Sequence, residues 1–565
     1  MKKKTVALLC AVTMTATLLS GCGSAQNSSS TDSSVTKEES ADSEEESTEE
    51  ESTSDDAQES ESDAKDTVIV SMNPESEPKS GFNPAANWGS GEHCHEPLIQ
   101  STLVTTDKDM NVTGDLATDF KVSEDGLTWT FTIRDDVKFT DGEPLTAQDV
   151  AFTYETVKTA STSEMDLSML DSAVAVDDKT VEMHLNKPFN AFLYSAAVIG
   201  IVPEHAYDDN YGENPIGSGR YVLSSWEKGQ QIVLAANPDY YGEAPKMKKL
   251  IVVFMEEDAS LAAAKAGEVD LAYTSATYSD QAIDGYSLLD VKTVDSRGIS
   301  IPTGKSGETL QDGDDVYQVG NDITSDIAIR QAMNYGVDRQ AMIDNVLNGY
   351  GTIAYTAGDG MPWSSPDMKV DYDKDKATQI LADAGWVDSD GDGVVDKDGV
   401  NAEIDLYYMS TDSVRQQMAN EFSNQMKDIG LQVNCVGKSW DEVYPHQYSD
   451  MVLFGWGANS PAETYNLLYS EGWGNFPQYK SDIIDGHLDK ALAESDLEAS
   501  YKEWQLAQWD GEDGVAPQGA ATWVWFANVD HLYFERDGLK VADQKLHPHG
   551  HGWSIVNNVD TWSWE

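Results

Sequence analysis

Residues 547–553 read HPHGHGW, three histidines on alternate positions ahead of a tryptophan, in a chain with 10 histidines in all. A second group, His93, Cys94 and His95, stands in GEHCHEPL. Alternate side chains of an extended segment point to one face, which is the spacing two imidazoles need to share an ion. His93, His95, His547, His549 and His551 are therefore candidate ligands for a divalent transition metal such as Ni²⁺. Such binding weakens as pH falls through about 6.5, because a protonated imidazole cannot ligate. Pro548, Gly550 and Gly552 also describe an ordinary irregular loop, with Trp553 at its end shaping the edge of a binding cleft.

The segment DSDGDGVVDKDG places Asp388, Asp390, Asp392 and Asp396 at calcium-loop offsets, with Gly393 at the sharp turn. Gly399 stands where the twelfth residue should be acidic, so a hairpin turn is expected first and calcium is not expected to be required. TGKS at 303–306 lacks the leading glycine of a phosphate loop, since Ile299 occupies that place and Pro302 interrupts. Neither G-x-S-x-G nor H-E-x-x-H occurs, which argues against an enzyme and against any required cofactor. Paired carboxylates in so acidic a chain leave a secreted glycosidase as the alternative from another class.

The elements that position these residues begin with an export signal. Residues 1–22, MKKKTVALLCAVTMTATLLSGC, carry three lysines, an apolar run from Val6 to Leu19 and a small-residue end. The run is shorter than the roughly 20 residues a permanent membrane helix needs. Leu19-Ser20-Gly21-Cys22 looks like a lipobox, so residues 1–21 are read as a signal peptide and Cys22 as the lipidated N-terminus. Residues 22–65 are mostly Ser, Thr, Asp and Glu, too polar to bury a core and self-repelling, hence an acidic disordered tether. The formal net charge of −62 makes nucleic acid and anionic lipid surfaces poor partners.

From residue 66 onward strands and helices alternate. Leu127, Trp129, Phe131 and Ile133 fall on alternate positions of LTWTFTIRDDVKF, a half-buried strand. A helix follows, with Thr146 as N-cap, Asp149 three residues on, and Val150, Ala151, Tyr154 and Val157 on its apolar face. Further on, SDIAIRQAMNYGVDRQAMIDNVLNG predicts two helices capped by Ser325 and Asp338 and stopped at Gly349. In SVRQQMANEFSNQMKDIG, Val414, Met418, Phe422, Met426 and Ile429 share a face ahead of the strand LQVNCVG. Strand, helix, strand with short joints is an α/β arrangement.

These segments, in this order, resemble the family 5 extracellular solute-binding proteins, the peptide- and nickel-binding components of ABC importers. The resemblance is carried by EPLIQSTLVTTDKDMNVTGDLATDFKVSEDGLTWTFTIRDDVKFTDGEPLTAQDVAFTYE, NPIGSGRYVLSSWEKGQQIVLAANPDYYGEAPKMKKLIV, AAAKAGEVDLA, AIRQAMNYGVDRQAMIDNVLNGYG and DMVLFGWGANSPAETYNLLYS. It implies a two-lobed, hinged clamshell of the type II, cluster C style, with an extra subdomain in the first lobe. By analogy the first lobe takes residues 66–316 and a C-terminal return at 519–565, and the second takes 317–518. An oligopeptide or a nickel-type chelate would be held between the lobes of a monomer and passed to a permease and its ATPase.

The resemblance also bears on single residues. Peptide binders of the family share a Trp-Gly run followed by Asp-Pro, whose aspartate pairs with the peptide's amino terminus. In FGWGANSPAETY the residue before Pro461 is Ser460, so that carboxylate is missing. Trp456 is left as an aromatic wall and Glu463 as an unmatched substitute. Nickel-binding relatives carry a histidine just before the same Trp-Gly, where this chain has Leu453, Phe454 and Gly455. If both chain ends lie in the first lobe, as the family fold implies, the two histidine clusters can meet. The lipobox reading predicts that Cys22→Ala moves the protein from the detergent phase to the aqueous phase in a phase-partition assay. Retention of that variant on membranes after a high-salt wash would reveal a second attachment.

Overall fold

The computed structural model describes residues 65–86, 95–160, 167–313, 315–550 and 552–565. Cys22, nearly all of the proposed tether, His93, Cys94 and His551 lie outside the described residues. Two large sheets organise the body. The first has seven strands in the order Tyr286–Val291, His531–Arg536, Leu271–Thr274, Thr67–Met72, Lys249–Phe254, Gln231–Ala236 and Tyr221–Glu227. Its central strand Thr67–Met72 runs parallel to both neighbours, and the flanking pairs are antiparallel. Val68, Val70, Leu250 and Val252 bury one face against Trp553, Ile555 and Trp562 from the C-terminal segment.

The second sheet has six strands in the order Gly351–Ile353, Trp523–Val529, Ser296–Ser300, Met451–Trp456, Glu403–Met409 and Gln432–Lys438. Period-two alternation divides its side chains. Ile299, Leu453, Leu406 and Phe526 face the helices Ile327–Gly336 and Ser413–Lys427, while Val452, Phe454, Trp523 and Trp525 form an aromatic face on the other side. Met418, Phe422, Met426 and Ile429 are buried there, as their helical spacing indicates. Helix Ile327–Gly336 is capped by Asp326 rather than Ser325, because the Asp326 carboxylate accepts the Ala328 N–H at 3.0 Å.

Between the strands Thr67–Met72 and Tyr221–Glu227 the chain inserts a four-stranded antiparallel sheet, in the order Ala117–Val122, Thr128–Ile133, Thr180–Leu185 and Leu170–Asp177. Helix Ala147–Thr159 starts in a capping box between Thr146 and Asp149 and lays Val150, Tyr154 and Val157 on this sheet. The insertion shares one apolar core with helices Asp482–Ala493 and Leu497–Gln508, which belong to the second lobe. Asn190 ties the contact, donating from its N–H to the Leu492 carbonyl at 3.0 Å and from its side chain to the Ala491 carbonyl at 2.8 Å. Tyr194 meets Trp363 edge-on at 5.6 Å.

The strand register shows where the chain passes from one sheet to the other. Val291 pairs with His531 in the first sheet, and Ser296 pairs with Asn528 in the second. One antiparallel ribbon therefore passes from sheet to sheet, crossing at 292–295 and at Asp530. The reason lies in the hydrogen bonding: Ser296–Ser300 and Trp523–Val529 are interior strands of the second sheet. The hairpin of Glu308–Asp312 and Asp315–Val319 follows them, packing Leu310 and Tyr317 on the second lobe's aromatic face. Trp363 is 1% exposed and touches the insertion, so Trp363→Ala should cost about 3–5 kcal/mol in urea unfolding. A loss under about 1 kcal/mol would mean that the site collapses around the deletion and that this docking contributes little.

Candidate ligand-binding cleft at the hinge

The HPHGHG segment is a strap along the first crossing. His547 N–H donates to the Lys292 carbonyl at 3.1 Å, Val294 N–H donates to the His547 carbonyl at 2.8 Å, and His549 N–H donates to the Gly457 carbonyl at 2.7 Å. Every second residue thus bonds outward through its backbone, and Pro548, which has no N–H, stands between two that do. The strap starts in the first lobe and ends on the second lobe at the end of strand Met451–Trp456.

Under it lies a buried ion cluster. Asp295 is gripped by the Arg297 guanidinium, with Nη2 at 3.2 Å from Oδ2, by His549 Nδ1 at Oδ1, and by His531 Nε2 at 3.2 Å from Oδ2. His531 Nδ1 in turn faces His547 Nδ1 at 3.2 Å, one donating and the other accepting. Burial pushes the Asp295 carboxyl up, but the Arg297 charge, then His549, hold it well below the usual carboxylate range. Arg415, in the first turn of helix Ser413–Lys427, pairs with Asp412 and lies 5.5 Å over the Trp440 ring. Burial and then the nearby Arg297 charge push its pKa down.

Gly455 lets the two arginines converge. A Cβ there would lie 2.7 Å from Arg415 Nη2 and 2.9 Å from Arg297 Nη1, too close for any other residue without displacing both. The Nε atoms of Arg297 and Arg415 are buried and meet no acceptor among the described residues. Guanidinium edges left over in this way suit a planar anionic group such as a carboxylate.

Beside the cluster an interlobe cavity of about 290 Å³ opens. Its first-lobe wall is 71–76 and 273–276, at the C-terminal ends of the parallel strands Thr67–Met72 and Leu271–Thr274, and its hinge wall includes Asp295, Arg297 and Asp530. Open α/β sheets bind ligands outside the carboxyl ends of their strands, and this cavity lies there.

The sequence-derived candidates divide. His547 and His549 sit at the hinge, as described. His95 is buried in the first lobe, stacked 6.4 Å from Trp553. Trp553 is 1% exposed and donates its indole N–H to the Ser76 carbonyl at 2.7 Å, so it is core rather than a cleft wall. Among the described residues the one group of three or more His, Cys, Asp or Glu with converging ligand atoms is Asp388, Asp390 and Asp392, within 4.8 Å of one another, and it holds no histidine. His549 and His531 address different oxygens of Asp295, whose counter-charge is already Arg297, so a cation there would meet a guanidinium. The aspartate loop is a hairpin turn satisfied by itself: Asp388 accepts the N–H of Gly391 and Gly393, and Asp396 accepts that of Ser389.

Trp456 is buried on the aromatic face, 5.3 Å from Trp473 and 6.0 Å from Phe476. The Glu463 carboxylate accepts the N–H of Gly457 at 2.9 Å and of Ala458 at 3.2 Å, which shapes the turn after Trp456. Sequence reasoning missed Asp295, Arg297, Arg415 and Asp530. For the first two the available signal was VDSRGIS, opposite charges on either side of Ser296 at the start of a strand of small residues.

Two sheet-based lobes, a ribbon hinge between them and a cavity at the crossing define a ligand-capturing protein of the two-lobed kind. The family model "Bacterial extracellular solute-binding proteins, family 5 Middle" matches residues 111–476. The chain belongs to that family, and its fold is the type II two-lobed one. It is 32% identical to Protein XP55 of Streptomyces lividans over 503 residues, covering 84% of this chain and 86% of that one. It is 28% identical to the oligopeptide-binding protein AppA of Bacillus subtilis, covering 83% and 86%, and 27% identical to the nickel-binding periplasmic protein of Escherichia coli, covering 72% and 81%. Among solved structures it resembles NikZ from Campylobacter jejuni in complex with Ni(L-His), with a TM-score of 0.70, 26% identity and coverage of 88% and 99%. The fold also matches AppA from Bacillus subtilis in complex with a nonapeptide, with a TM-score of 0.66, 22% identity and coverage of 88% and 99%.

Burial, then the neighbouring His531, hold the His547 imidazole well below its ordinary pKa. The unfolded chain takes up that proton near pH 6.5 and the folded chain does not, so the stability is full above that pH and is lost as pH falls below it. Asp530, pushed up to about 6, works in the opposite direction. The comparison of wild type with His547→Gln separates them: between pH 7.5 and 5.5 the melting temperature should fall less steeply in the variant. Parallel profiles would place the proton uptake on another group.

Proposed function

We propose that this protein is the extracytoplasmic receptor of an ABC importer, anchored through Cys22 to the outer face of the cytoplasmic membrane. It captures a short peptide between its lobes as a monomer and presents it to a membrane permease driven by an ATPase. The observation that carries this reading is the interlobe cavity at the hinge, beside the buried Arg297 and Arg415 guanidiniums with unspent Nε atoms. A peptide supplies the carboxylate that such a pair fits, and its backbone amides suit the strand ends along the first-lobe wall. The relatives named as oligopeptide-binding support the same cargo. They are named for binding rather than for turnover, which favours a receptor over the glycosidase alternative.

A second reading, an amino-acid chelate of nickel, is favoured by one observation, the likeness to a protein solved with Ni(L-His). That cargo also presents an amino-acid carboxylate, so the arginine pair serves both. A thermal-shift comparison decides between them. A ligand that binds only the folded state adds about 2.7 kcal/mol at a hundredfold excess over Kd, which raises the melting temperature by several degrees. A pool of randomised tetrapeptides should give this rise, and small-angle scattering should show the radius of gyration shrinking or already small. A rise with nickel and L-histidine alone would replace peptide by chelate, and no rise with either would reject both cargoes.

A further inference from the structure

The insertion's four-stranded sheet has a free edge. Strand Ala117–Val122 is hydrogen-bonded to Thr128–Ile133 on one side and to no strand on the other among the described residues. Phe120 and Val122 stand opposite Phe131 and Trp129, so these four side chains share the inner face while Lys121 points to the outer one. Phe120, Lys121, Val122 and Trp129 all line a cavity of about 670 Å³, more than twice the one at the hinge. A cavity that touches side chains from both faces of an edge strand runs along its open edge. Its opposite wall is 495–498 and Tyr501, where helix Leu497–Gln508 begins.

An open strand edge offers N–H and C=O groups to any extended chain that reaches it. Further features of the groove say what such a chain carries. Phe120 and Val122 are half-buried, so the floor is apolar and gains from being covered. Trp129 is 4% exposed, and its indole N–H is buried without an acceptor among the described residues, a cost that a carbonyl entering the groove removes. The rim holds exposed Asp109, Asp496 and Glu498 against one lysine, Lys121, and Asp109 is paired with Lys108 at 3.0 Å. Cationic side chains suit that rim. The net charge of −62 repels the chain's own acidic residues 22–65 and a second copy alike, so the occupant comes from elsewhere.

We propose that this groove docks an extended segment of a partner protein, added as a strand beside Ala117–Val122, with apolar side chains on Phe120 and Val122 and basic ones at the acidic rim. The groove shares no lining residue with the interlobe cavity, so the proposal does not depend on what that cavity holds. Its occupant touches the insertion and helix Leu497–Gln508 together, and therefore senses whether the two are docked.

The test is calorimetry and amide hydrogen exchange on the purified full chain with three hexapeptides, alternating Lys and Val, Glu and Val, or Lys and Gly, each acetylated and amidated so that neither end is charged. The Lys–Val peptide should bind about tenfold or more tightly than either of the others, weaken with added salt, and protect the amides of 117–122. Glu498→Lys, at an exposed position, should weaken it by about threefold or more, and Phe120→Ser by about tenfold. Where Phe120→Ser departs from the wild-type circular dichroism spectrum, Val122→Thr, of nearly equal volume, takes its place. Equal binding of the Lys–Val and Lys–Gly peptides makes the attraction a general effect of the acidic surface and overturns the proposal, as does affinity unchanged in these variants. Protection at 71–76 and 273–276 in place of 117–122 puts the peptide in the interlobe cavity, which overturns the docking groove while supporting the cargo reading. Protection of 117–122 on concentrating the chain alone gives the groove to a second copy, and no binding of any peptide leaves it without a partner of this chemistry; both overturn the proposal.

Discussion

A carboxylate buried where a chain passes from one sheet to another has to be neutralised on the spot, and Asp295 is neutralised by Arg297, His549 and His531 together. The three come from different parts of the molecule: Arg297 from the second-lobe sheet, His531 from the returning strand, and His549 from the C-terminal strap. One ion cluster therefore fixes both crossings and the strap relative to each other. Removing a partner of such a buried group leaves an uncompensated charge, at a cost of about 3–5 kcal/mol. The small residues around it follow from the same constraint. Gly455 makes room for two guanidiniums, and a Cβ at Gly457 would lie 2.0 Å from the Val294 carbonyl oxygen.

Much of the fold was legible along the chain. The period-two pattern around Trp129 and Phe131, the capping box at Thr146 and the apolar stripe from Met418 to Ile429 each reflect forces acting within about a dozen residues, and each stands where the pattern put it. The sheet that each strand joins was not legible, because a strand such as Ser296–Ser300 looks the same in either. Its membership is set by partners at 452–456 and 523–528, far away in sequence. The cleft was hidden for the same reason, since residues near 295, 415, 455, 530 and 549 meet only after folding. The alternate histidines of HPHGHGW were a real periodicity, and their place at the hinge was not readable from it. The backbone of the strap bonds through every second residue, and among the described residues His549 meets Asp295 while His547 faces His531.

Closure and recognition are carried by different physics in different places. On the far side of the molecule, Leu193, Tyr194, Trp363, Leu488 and Leu492 share an apolar core between the insertion and the second lobe. Burying apolar area is favourable and non-directional, so this contact favours the lobes coming together without specifying what lies between them. The hinge has the opposite character. Its groups are charged, buried and directional, and several retain hydrogen-bonding capacity among the described residues. An apolar latch alone would close on nothing as readily as on cargo. A polar hinge with unspent donors and acceptors makes the closed state incomplete without a ligand that satisfies them, because buried polar groups left unpaired cost free energy that the right ligand returns. Selectivity in such a receptor then resides less in the size of the cavity than in the few charged atoms at the crossing, where a ligand that lacks the matching charge leaves both sides unsatisfied.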